Sequence, residues 1–106
     1  RIPIKRVKRI NPIKMKIVIL YSMKGCPFCD EMKDMLKESK IDFNERDIDE
    51  YSEEYDKFVE ATDNEFIPAF MLLDSEGVEV KEAVLMAPDR DFDDIHEALK
   101  KVKMFL

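Results

Sequence analysis

Apolar positions change period several times along this chain, and each change marks an element. Residues 16–22 form a short, continuous, β-branched apolar run bounded by Gly25, the pattern of a buried strand. Residues 27–39 switch to helical spacing. Cys29, Met32, Met35 and Leu36 share one face, while Asp30, Glu31, Lys33, Asp34, Lys37 and Glu38 cover the other. Pro27 falls at N1, where its missing N–H costs nothing, and this puts Cys26 at the N-cap. Residues 41–48 set Ile41, Phe43 and Ile48 among polar neighbours and predict a shorter strand. Residues 51–62 predict a charged helix with Tyr55, Phe58 and Val59 inward. Residues 66–73 are again apolar, and Asp74-Ser75-Glu76-Gly77 supplies turn chemistry before a return strand holding Val78, Val80, Ala83 and Val84. Pro88 breaks the chain. Residues 91–103 then predict a closing helix with Phe92, Ile95, Leu99 and Val102 at helical spacing.

The order β-α-β-α-β-β-α belongs to the α/β class. It suits a mixed four-stranded sheet with helices on both faces. The first strand–helix–strand unit implies a parallel pair with a right-handed crossover. Cys26 then lies at the carboxyl end of a central strand, where ligands gather in open α/β sheets. At 106 residues the chain is long enough for one domain with a single core.

Charge divides the chain unevenly. Of its 18 Lys and Arg, seven fall within residues 1–16, which hold no acid, leaving 11 against all 24 Asp and Glu. Residues 1–14 are therefore expected to be a basic, solvated extension, and residues 15–106 the domain. The extension lacks interleaved aromatics and helical periodicity, so no nucleic-acid role is expected of it. The first residue is Arg, and Met15 would make an ordinary beginning for the domain. No apolar stretch is long enough to cross a bilayer. The run 17–21 is also too short for the core of a signal peptide. A monomeric cytoplasmic protein without membrane contact is the expectation.

The two cysteines, Cys26 and Cys29, are the whole cysteine complement, and they stand three positions apart at a predicted helix start. A thiol there faces unpaired backbone N–H groups and the positive end of the helix dipole, which favour the thiolate. Only the thiolate attacks disulfides, and such sites lower the cysteine pKa from about 8.5 to roughly 3.5–7.5. Lys24 adds a cation. Asp30 and Glu31 oppose it, and they are expected on the far side of the first turn. Cys26 is the candidate nucleophile and Cys29, one turn further in, the resolving thiol. A structural zinc site needs four ligands. His96 is the only other soft ligand and is expected on a helix surface, so no metal site is assigned.

Ile19-Leu20-Tyr21-Ser22 leading to Cys26-Pro27-Phe28-Cys29, followed by Ile41-Asp42-Phe43, Arg46-Asp47-Ile48-Asp49 and Ile67-Pro68, resembles a dithiol glutaredoxin of the thioredoxin superfamily. The resemblance spans roughly residues 15–103. It implies a thioredoxin-like fold, a cis bond before Pro68, and glutathione as co-substrate with no tightly bound cofactor. It also implies that Ile67 and Pro68 pair with an extended substrate. Phe28 is implied as an apolar wall, Lys24 as a contact for a substrate carboxylate, and the helix start near Phe92 and Asp93 as the seat of a glutamyl carboxylate. Several positions depart from the family. Phe28 stands where Tyr is usual, Met23 where Lys is common, Phe66-Ile67 where Thr-Val is common, and no Gly-Gly pair precedes the last helix.

The leading reading is a glutathione-dependent thiol–disulfide oxidoreductase that reduces protein disulfides or glutathione mixed disulfides, ribonucleotide reductase being one candidate partner. The alternatives are a thioredoxin-like donor recharged by a flavoprotein reductase and an iron–sulfur or metal-binding module.

Overall fold

The structure, a computed structural model, describes residues 14–106. The expected basic extension, apart from Lys14, lies outside the described residues. The element order is β1 (Lys14–Ser22), α1 (Pro27–Glu38), β2 (Asn44–Asp47), α2 (Ser52–Thr62), β3 (Ala69–Glu76), β4 (Glu79–Met86) and α3 (Ile95–Phe105). The strands form one mixed sheet in the order β2-β1-β3-β4. β1 runs parallel to β2 and antiparallel to β3, and β3 and β4 form a hairpin.

Alternation along β1 explains why both its faces are covered. Val18 and Leu20 point to one side and pack with Met32 and Leu36 of α1, Ala98 and Val102 of α3, and Phe70 and Leu72 of β3. Ile19 and Tyr21 point to the other side, against Tyr55 and Phe58 of α2. A strand buried on both faces reads as a continuous apolar run, as β1 does. The two cores differ in character. The α2 side is an aromatic cluster with Tyr21–Phe58 ring centroids 5.1 Å apart.

Several boundaries differ from the sequence reading. β2 spans only Asn44–Asp47, and the apolar Ile41, Phe43 and Ile48 flank it rather than belong to it. Asp74 and Ser75 lie within β3, because pairing with β4 continues through a bulge between them; the loop is then Gly77-Val78. Gly77 takes φ +63°, which suits a first loop position that must be left-handed. Val78 is therefore fully exposed at the hairpin tip, not in the return strand. α3 begins at Ile95 instead of residue 91. The Asp91 carboxylate accepts from the Ala87 N–H at 2.8 Å, and the N–H groups of Arg90 and Asp91 both donate to the Ala87 carbonyl. These bonds curl residues 87–91 into a loop. Phe92 leaves it to pack edge-on against Phe70, with centroids 6.2 Å apart.

Candidate active site

β1 ends in the buried Tyr21 and Ser22, and the chain turns at Gly25 before entering α1. Gly25 has φ +79°. A Cβ there would meet nothing within 4 Å, so the turn needs glycine for its dihedral rather than for space. The Cys26 N–H donates to the Met23 carbonyl at 3.3 Å, closing the turn. Cys26 follows in extended conformation as the N-cap of α1, with Pro27 in the first turn. Its Sγ accepts from the Cys29 N–H at 3.2 Å. The sulfur thus does what a Ser or Asp oxygen does at an ordinary N-cap. Cys26 and Cys29 are joined by a disulfide, their Cα atoms 5.2 Å apart. Cys26 is 9% exposed and Cys29 fully buried.

Antiparallel pairing brings a second segment to the same end of the sheet. Ala69, the first residue of β3, sits opposite Tyr21. The preceding Ile67–Pro68 bond is cis. Ile67 and Pro68 line a cleft of about 410 Å³ together with Phe28, Pro88 and Phe92–His96. Asn64 ties two walls of this cleft together. Its side chain accepts from the Phe66 N–H at 2.9 Å and donates to the Pro88 carbonyl at 2.7 Å.

The expected site residues divide into two groups. Phe28, Ile67, Pro68 and Asp93 share the cleft. Lys24 does not. It lies in a separate depression with Met23, Gly25, Asp30, Lys33 and acidic neighbours. Glu31 lines the cleft and Asp30 the separate depression. Asp93 lies just before α3, and its N–H donates to Glu97 Oε1 at 2.7 Å. Asp94 is the true N-cap, its carboxylate accepting from the Glu97 N–H at 2.8 Å. The donors expected to receive a ligand carboxylate are thus partly engaged by the chain's own acids. The Asp94-x-x-Glu97 spacing of a capping box was the sequence signal for this. Asn64, Glu31 and the cleft position of His96 carry no local signal, because they depend on how loops meet.

Two polar networks brace the sheet end. Glu45 of β2 accepts from the Ser22 hydroxyl at 2.6 Å and from Lys33 at 2.9 Å, and these two bonds hold its carboxyl below the usual range. Glu54 accepts from Tyr21 and Arg46. Burial pushes Glu54 up, yet the bonds from Arg46 and Tyr21 outweigh it, so its net shift is downward. Burial, then the bond to Glu54, raises the Tyr21 phenol well above its ordinary value. Among the described residues no group of three or more His, Cys, Asp or Glu is arranged to hold a metal ion, and no helix is long and apolar enough to cross a membrane.

The comparisons with known proteins agree with this arrangement. The family model described as Glutaredoxin matches residues 18–72, just over half of the chain and inclusive of both cysteines and Pro68. No curated protein matches. A mutant of the thioredoxin-like protein BC3987 is similar in structure, with TM-score 0.54 and 18% identity over 80% of this chain and 97% of that one. The thioredoxin of Trichomonas vaginalis gives TM-score 0.52 and 17% identity over 98% of this chain and 88% of that one. At such identities the likeness concerns the fold.

Proposed function

The chain belongs to the glutaredoxin family and is a thiol–disulfide oxidoreductase, and from that premise we propose that it reduces disulfides of other proteins and glutathione mixed disulfides, with glutathione as reductant. The observation that carries the reading is the Cys26 sulfur seated as N-cap on the Cys29 N–H, beside the cleft of Phe28 and cis-Pro68. In the reduced protein the Cys26 thiolate attacks one sulfur of the substrate disulfide. The Cys26–substrate bond forms, the substrate S–S bond breaks, and the leaving thiolate takes a proton. Cys29 gives up its proton and attacks Cys26 Sγ. The mixed disulfide breaks, the second substrate thiol departs, and the Cys26–Cys29 disulfide remains. Two electrons and two protons pass to the substrate. Two glutathione molecules return the pair to dithiol form and leave as glutathione disulfide.

Ile67 and Pro68 line the cleft, and in this reading the Ile67 backbone pairs with an extended substrate. Ribonucleotide reductase is one protein substrate that such a dithiol would serve. A second reading, recharge by a flavoprotein reductase, has a specific observation in its favour. The Asp93 N–H is engaged by Glu97, and the cleft carries Glu31, Asp93 and Asp94, all unfavourable to a glutamyl carboxylate.

One assay separates the two. Reduction of a small uncharged disulfide is followed with glutathione, glutathione reductase and NADPH, then with thioredoxin reductase and NADPH alone. Turnover in the first mixture only supports the leading reading. Turnover in the second without glutathione replaces it.

A further inference from the structure

The cleft beside the disulfide has an apolar floor and an acidic wall. Phe28, largely exposed, and the half-buried Ile67 contribute its apolar surface, while Pro68 and Phe92 are buried. Among the described residues Glu31, Asp93 and Asp94 line it, no Lys or Arg does, and the remaining titratable side chain is His96. Two helix starts point positive ends toward this region, each equivalent to roughly half a charge. That of α3 is already met by the carboxylates of Asp94 and Glu97. Glu31 and Asp93 form no salt bridge with the described residues. Across the disulfide, the depression around Lys24 is lined by Asp30, Glu45, Asp47 and Glu50 against Lys24 and Lys33, so that flank does not supply the missing cation. An anionic ligand in the cleft meets like charge and must displace Glu97 from the Asp93 N–H. A cationic one gains two carboxylates that have no salt-bridge partner among the described residues. The apolar part of the occupant is also specified. Phe28 is 63% exposed and Phe66, leading into Ile67–Pro68, 58% exposed, large apolar areas that a partner would remove from water.

We propose that this cleft docks a segment of a partner protein that places an apolar side chain against Phe28 and Ile67 and a Lys or Arg against Glu31 and Asp93, so that the cysteine pair selects disulfides lying in basic segments. The proposal rests on the thiol–disulfide reading above and deepens it by naming the substrate class. It does not depend on which reductant recharges the pair.

The test is single-turnover reduction by the reduced full chain, which removes the recharging step. Three synthetic peptides each carry one intramolecular disulfide, a Phe, and two flanking residues that are Lys, Gln or Glu. The reactions run at pH 8 and at low salt. The Lys peptide is expected to react fastest and the Glu peptide slowest, about tenfold apart, with the ratio falling toward one as salt rises. Glu31→Gln and Asp93→Asn are each expected to shrink the ratio about threefold, and Glu31→Lys to shrink it further. Glu82→Gln, on the exposed β4, is the control that leaves it in place. Equal rates for the three peptides, or a Lys preference surviving both neutralisations, overturn the proposal while leaving the oxidoreductase assignment standing. Reduction of none of the three peptides sinks that assignment and the proposal with it.

Discussion

Two helix starts flank the cleft, and they solve one problem in opposite ways. Each begins with backbone N–H groups that have no partner inside the helix. At α3 the partners are carboxylates, Asp94 accepting from Glu97 and Glu97 from Asp93. At α1 the partner is the Cys26 sulfur, 3.2 Å from the Cys29 nitrogen. The α3 carboxylates take no part in the thiol exchange proposed at α1. A sulfur passes between disulfide and thiolate, so the α1 donors stabilise one state of a reactive atom more than another. The cap at α3 serves stability, and the cap at α1 serves reactivity.

The largest expected effect separates those roles. Cys26→Ser keeps an oxygen able to cap α1, so the reduced variant should melt close to the reduced parent, while disulfide reduction falls to background. Cys29→Ser should instead accumulate a mixed disulfide with a protein substrate, visible by mass. A Cys26→Ser protein that still reduces disulfides would erase the contrast between the two caps.

Asp94→Ala tests the other side. Loss of an N-cap costs about 1 kcal/mol, within a range of about 0.5–2. For a domain of this size that lowers the melting temperature by roughly 4–8 °C per kcal/mol. An unchanged melting temperature in calorimetry would show that the Asp94–Glu97 bond contributes nothing at α3. Gly25→Ala is expected to cost about 1–2 kcal/mol. The added Cβ meets nothing within 4 Å, and the cost comes from φ +79° alone. Replacement by Asn, which tolerates the left-handed region better, should recover part of it.

The smallest effect concerns the network behind α1. Glu54 and Glu45 both have lowered folded-state pKa values. Their contribution to stability is present above the ordinary carboxylate pKa of about 4.3 and is lost as pH falls through the folded value. Tyr21 is raised, so its contribution is present below about pH 10 and is lost as pH rises further. Urea melts across pH should therefore show stability falling at both ends, with Glu54→Gln flattening the acid limb by a few tenths of a kcal/mol. An acid limb identical in parent and variant would remove Glu54 from the account.

Much of this was legible in the sequence, for identifiable reasons. β1 was legible because burial on both faces leaves an uninterrupted apolar run, and α1 because Pro27 and the Cys29-Met32-Leu36 face agree on one register. The cysteine pair and Pro68 were legible as motif. The start of α3 was not, because the Asp91 bond to the Ala87 backbone outweighs the helical spacing of Phe92 with Ile95. The hairpin was displaced because Asp74 and Ser75, good turn residues, are held in β3 by pairing with β4. Lys24 looked close to the chemistry along the chain, yet the turn at Gly25 directs it away from the cleft. Glu31, Asn64 and His96 entered the site only through tertiary contact.

The most direct measurement follows the alkylation rate of each cysteine by iodoacetamide against pH in the reduced protein, with products assigned by mass. Donation from the Cys29 N–H and the α1 dipole predict that Cys26 titrates below about 7.5 while the buried Cys29 stays near or above 8.5. A Cys26 that titrates at 8.5 or higher, or reacts no faster than Cys29, would contradict the account.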